Sequence, residues 1–126
     1  MCVRGALALA DVLHELPSQP LELLVVWEPV LPSDRGPPAP VLRARLTDPR
    51  IRRYWDPQLR VSQAIRNAHA DEPRCLGDDE HPVWDTVFLF PPGAKWNGAP
   101  PRSQLCGRDV VDVIDQVRAA LGGASD

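Results

Sequence analysis

A chain of 126 residues, 44% of them apolar, is long enough for one domain to bury its own core without a metal or a disulfide. Its net charge of −3 argues against a molecule built as a whole for nucleic acid, and no apolar run reaches the ~18 residues of a membrane span. No basic stretch followed by an apolar segment opens the chain, so a soluble cytoplasmic protein without a signal peptide is expected. Of the 14 basic residues only Lys95 is lysine, and with 15 prolines this is the composition of a GC-rich bacterial gene.

Residues 3–16 predict a helix: Ala6, Leu9, Leu13 and Leu16 form one stripe, with Asp11, His14 and Glu15 turned away. Pro17, Ser18 and Pro20 stop it. Residues 21–27, LELLVVW, are a continuous apolar and β-branched run, expected as a strand buried on both faces. The proline-rich residues 28–40 predict a loop. Residues 41–46 fit a short helix, and residues 51–55, IRRYW, suit either a strand or a helix. A further helix follows Pro57, with Leu59, Ile65 and Ala68 facing inward, and a polar loop covers residues 69–82. Residues 83–90, VWDTVFLF, form the second apolar strand, followed by a PPG turn and AKWN as the return strand of a hairpin. Residues 107–121 give the clearest amphipathic helix, with Val110, Val113, Ile114, Val117 and Leu121 at helical spacing. Asp109 and Asp112 suit its first turn, Arg118 its last, and Gly122 and Gly123 end it.

The three cysteines, Cys2, Cys75 and Cys106, are odd in number and widely spaced, which fits neither a disulfide framework nor a zinc pattern. Cys2 stands at a helix start beside Arg4, where free N–H groups and the helix dipole favour a thiolate, so it is the candidate reactive thiol. Its plainer reading is an inert residue at a frayed terminus. Cys106 reads first as a small buried apolar group and Cys75 as part of a polar loop. His14, His69 and His81, with Asp78, Asp79 and Glu80, match no ligand spacing, so no metal is expected. Eight arginines against four acidic residues over 41–74, near Tyr54 and Trp55, read as a solvated face rather than a nucleic-acid surface. Trp27 and Trp84 suit core or sheet-edge packing. Trp27 and Glu28, at the carboxyl end of the first strand, are the best binding candidates without sulfur, because open α/β sheets hold ligands there.

The order of elements resembles a thioredoxin-like domain. TVFLFPPGAKWNGAPPRSQLCGRDVVDVIDQVRAAL resembles that family's hairpin and last helix, and CVRGALALADVLHEL followed by LELLVVW is similar to its redox helix and next strand. WEPVL and YWDP resemble a bacterial subgroup of thioredoxin-like proteins. The resemblance implies an α/β three-layer sandwich around a small mixed sheet, N-terminally truncated, as one domain over residues 1–126. It implies that Cys2 is the second, resolving cysteine of Cys-x-x-Cys. It also implies a cis proline just before the second apolar strand; the aligned position is Asp85, and the nearest proline is Pro82. Trp27, Glu28, Pro82 and Asp85 then border the binding cleft.

Two departures qualify this expectation. The attacking cysteine would fall three positions ahead of Cys2, and the central strand that precedes the redox helix has no counterpart. The two apolar strands could pair directly, a partner chain could donate a strand, or the sequence is a truncated reading of a longer gene. The last is favoured, with a selenocysteine codon read as a stop as one route to it. The expected function is relatedness to thiol–disulfide oxidoreductases without dithiol activity in this form. The alternatives are a peptide-holding interaction module around Trp27 and the proline-rich loop, and single-cysteine chemistry through Cys2. Protein thiols, disulfides or a peptide are the expected partners, with a homodimer by strand pairing. No cofactor, nucleic acid or membrane is implied.

Overall fold

The computed structural model describes residues 3–30, 35, 36, 40 and 44–123. Helix α1 (Val3–Glu15) follows the expected stripe: Ala6, Val12 and Leu13 are buried, whereas Asp11, His14 and Glu15 are exposed. Strand β1 (Leu23–Trp27) leaves after the proline break and pairs in parallel with β2 (Ile51–Trp55), Leu23 opposite Ile51 and Trp27 opposite Trp55. The ambiguous IRRYW segment is thus a strand, as its β-branched and aromatic residues favour once an edge is available. Helix α2 (Arg60–Ala68) comes next, then strand β3 (Thr86–Leu89), its antiparallel partner β4 (Leu105–Arg108) and helix α3 (Val110–Gly123). The architecture is mixed α/β, with two two-stranded sheets among the described residues. None of the described helices is long and apolar enough to cross a membrane.

Several expectations change. Residues 41–43 of the predicted helix at 41–46 lie outside the described residues, and 44 and 45 form a turn and 46 is not helical. AKWN is exposed and belongs to no strand, and the return strand is Leu105–Arg108 instead. Residues 91–101 carry four prolines, which lack the N–H a ladder needs, so pairing resumes only beyond them. The last helix starts at Val110 because Gly107 and Arg108 are paired with Val87 and Thr86. Asp109, at φ 58°, then turns the chain while its N–H donates to the Asp85 carbonyl at 2.8 Å. β1 is covered on one face only: Val25 and Trp27 are buried and Leu24 is 53% exposed. Direct pairing of the two apolar strands does not occur, since β1 and β3 belong to different sheets.

Helices α1 and α3 lie side by side and run the same way. A Cβ on Gly5 would sit 3.0 Å from Val110 Cβ, so only glycine allows this approach at the two helix starts. At the other ends Arg118 Nε donates to Glu15 Oε2 at 2.7 Å, and Gln19 Nε2 to the Leu121 carbonyl at 2.8 Å. Gly107 permits a second close fit, because a Cβ there would lie 2.8 Å from Val113 Cγ1.

Arg50 fixes the far end of α1 to the first sheet. Its guanidinium donates to the carbonyls of Leu13 (2.8 Å), Leu16 (2.7 Å) and Gln19 (2.9 Å). Nε and Nη2 also donate to the two oxygens of Asp48, at 3.0 and 2.8 Å. The planar fork thereby satisfies one carbonyl in the last turn of α1 and two in the chain just beyond it. That contact holds the Asp48 carboxyl down to about 2. Arg50→Ala should cost roughly 2–3 kcal/mol in urea unfolding, and Arg50→Lys should recover little of it, because one ammonium cannot span three carbonyls. A loss below about 0.5 kcal/mol, the range of ordinary surface changes, would refute this role.

Candidate functional site

A groove of about 300 Å³ separates β1 from β3. Leu24, Val25 and Val26 stand on one side, Thr86, Val87 and Phe88 on the other, and Gly5, Ala6 and Leu9 of α1 also border it. Such a volume lies at the lower end of ligand clefts, about 300–1,000 Å³. Of the residues singled out from the sequence, Trp27, Glu28 and Asp85 line this groove. Pro82 precedes Val83 and Trp84, which also line it. Cys2 lies outside the described residues, one position ahead of Val3, where α1 begins.

Trp27 is 5% exposed and packs with Ala6, Val25 and Leu46, so it is first a core residue. Its indole N–H is nevertheless buried without a hydrogen-bond acceptor. Glu28, the next residue, leaves the strand end beside Asp56. Asp56 spends its two oxygens on α2, accepting from the Arg60 N–H at 3.0 Å and the Val61 N–H at 2.8 Å. It thus fills the capping role at a helix whose preceding residue, Leu59, offers none. Burial first, then the charge of Asp56 and a hydrogen bond with it, push the Glu28 carboxyl up to about 8, and the Ser62 N–H works the other way. Oε2 of Glu28 is buried without a partner. A neutral acid at the mouth of an apolar groove can donate or take up a proton near neutral pH.

Asp85 has a different part from the one its alignment suggested. It adopts φ 49°, its Oδ1 accepts from the Val110 N–H at 3.3 Å, and its carbonyl accepts from Asp109. It therefore joins β3 to the start of α3. No peptide bond among the described residues is cis, so Pro82 does not supply the family's cis proline.

The cysteine reading is corrected as well. Cys75 and Cys106 form a disulfide, with Cα atoms 6.0 Å apart. It ties the 3-10 turn Pro73–Cys75 to β4, and Cys75 is fully buried. A separation of 31 residues carries no spacing signature, so nothing in the sequence joins the two. Oε2 of Glu72 lies 2.8 Å from Cys106 Sγ and 4.0 Å from Cys75 Sγ. Arg102 holds that carboxylate at 3.2 Å and Asp71 at 2.6 Å. In the reduced pair the Cys106 thiol would donate to Glu72. The sulfur and carboxylate atoms of Glu72, Cys75 and Cys106 lie within 4.8 Å of one another, but a disulfide offers no thiolate to a metal.

The histidines are structural or exposed. His69 is fully buried, its Nδ1 3.2 Å from the Ile65 carbonyl and its Nε2 3.1 Å from Ser103 Oγ. His81 lies 2.8 Å from Asp78 at the surface, and His14 is exposed. No family model, no curated protein and no solved structure matches the chain.

Two outcomes follow from these groups. Between pH 4.5 and about 8 the unfolded chain gives up the Glu28 proton while the folded chain keeps it, so stability should fall as pH rises through that window. Glu28→Gln should flatten this slope in thermal unfolding from pH 4 to 9, and an unchanged slope would exclude Glu28 as its source. Reducing the Cys75–Cys106 bond should cost about 3–4 kcal/mol from loop entropy alone. Denaturant midpoints with and without a phosphine reductant, against a Cys75→Ser/Cys106→Ser chain that ignores the reductant, measure that loss.

Proposed function

We propose that the chain is a thioredoxin-like domain related to thiol–disulfide oxidoreductases, and that it does not complete a dithiol cycle by itself. The observation carrying this reading is the disposition of α1. It opens one residue behind Cys2, leads into a strand that pairs in parallel, and lies alongside the terminal helix α3. A sulfur ahead of such a helix meets the positive end of the dipole, and α1 has no acidic residue in its first turn to cancel it. A dithiol cycle needs one thiolate to attack the substrate disulfide and a second thiol to resolve the mixed disulfide. Three residues after Cys2 stands Gly5, and Cys75 and Cys106 are already joined to each other.

Insulin reduction by dithiothreitol tests this. The chain and its Cys2→Ser variant should both run at the rate of dithiothreitol alone. A form extended by the residues encoded directly ahead of Met1 should run faster and lose that gain with Cys2→Ser. Turnover by the chain that Cys2→Ser abolishes would assign single-thiol chemistry instead. An extended form that stays inert would remove thiol–disulfide exchange from the reading.

A further inference from the structure

Among the described residues, the groove between β1 and β3 is bounded by two strand edges that no other strand pairs with. In the parallel pair, the Leu23 N–H donates to the Arg50 carbonyl at 2.9 Å, and the Trp27 carbonyl accepts from Asp56 at 2.9 Å. Main-chain groups of successive residues point to opposite sides of a strand. Residues 23, 25 and 27 therefore face β2, and the N–H and C=O of Leu24 and Val26 face away from it. In the antiparallel pair the Asp109 N–H donates to the Asp85 carbonyl, which makes 85 and 109, and in turn 87 and 107, the hydrogen-bonded partners. Thr86 and Phe88 then present their main-chain groups away from β4. Leu24, Val26, Thr86 and Phe88 all line the same groove.

The packing tells the same story. Among the described residues the buried side chains form three separate clusters, around Val25 and Trp27, around Ile65 and Val83, and around Val87 and Val110. All six of these residues border the groove. A domain of this size ordinarily has one contiguous core. Side chains entering from the groove would touch all three clusters and join them.

We propose that this groove is a strand-acceptor site, and that its occupant is an extended, apolar segment of a partner polypeptide that bonds through its main chain to β1 on one side and β3 on the other. Open edges on both sides select a β-strand, and the apolar walls select β-branched or aromatic side chains. The ionisable residues along the groove are Glu22, Glu28 and Asp85, with no base among them. Glu22 is paired with Arg52, and Asp85 accepts from the Val110 N–H, so the partnerless Oε2 of Glu28 is the place for a lysine or an amino group of the occupant. The inference does not depend on the thioredoxin likeness, since it uses only edges, packing and charge.

Hydrogen exchange on the intact chain tests it, with a seven-residue probe of alternating valine and threonine ending in lysine. A twin probe carries N-methyl groups on alternate amides. The first probe should slow exchange at the amides of Leu24, Val26, Thr86 and Phe88 at least tenfold and leave Leu23, Val25 and Trp27 unchanged. The twin should bind at least tenfold more weakly. Equal binding of the two probes, or no added protection at those four amides, overturns the proposal. So does a stable dimer in sedimentation whose own contact protects them, which would assign the groove to a second copy. Protection already present in a form extended ahead of Met1 would assign it to the same polypeptide and overturn it too. A failed insulin assay alone leaves these exchange rates untouched.

Discussion

A strand hydrogen-bonded along one edge only is the constraint on which this molecule turns. β1 is bonded to β2 and β3 to β4, and the remaining edges look onto a shared groove instead of onto each other. An unpaired main-chain group is tolerable where water reaches it and costly where it does not. The two sheets are therefore held at a distance by helices rather than by a common ladder. α1 does most of this, with Ala6, Leu7 and Ala10 in the cluster of β1 and Leu9 in the cluster of β3 and α3. Arg50 clamps one end of that helix and the glycine contact at Val110 sets the other.

Glu28, which lines the groove, and Asp56 beside it show how position divides one chemistry into two tasks. Asp56 is oriented by α2, whose first amides take both its oxygens. Glu28 comes from the opposite side, at the end of β1, and finds that neighbour already engaged. Being buried beside a like charge, it holds its proton. Its free oxygen and the indole N–H of Trp27, on successive residues, are unpartnered groups of opposite hydrogen-bonding sense.

Much of this was legible in the residues, and the rest fails for identifiable reasons. Periodicity points to α1 and α3, and unbroken apolar runs point to β1 and β3, although β1 is covered on one face only. Trp27 and Glu28 were found by a rule about strand ends, and both do border the groove. β4 escaped because Leu105–Arg108 has no alternation and a glycine at its centre; it is a strand only because β3 offers an edge. Arg50 looked like one arginine among eight, since its three carbonyl partners are defined by a helix end and not by sequence distance. The Cys75–Cys106 pairing likewise depends on β4 bringing the two together. Tertiary context, in each case, decided what local pattern left open.

The open edges also set what an occupant must be. Four residues with two main-chain groups each allow up to eight hydrogen bonds, which at about 1 kcal/mol net apiece come to roughly 8 kcal/mol. Ordering the backbone of a five-residue segment costs roughly 5–10 kcal/mol, and its side chains add to that. Main-chain pairing therefore comes close to cancelling, however well the edges match. Net affinity has to come from apolar surface, at roughly 25 cal/mol per Å², and from residues that already favour the extended state. A polar or glycine-rich strand would satisfy the edges and still not stay, whereas a short β-branched segment would both stay and join the three clusters into one core. The edges thus require that the occupant be a strand, and the walls decide which strand stays.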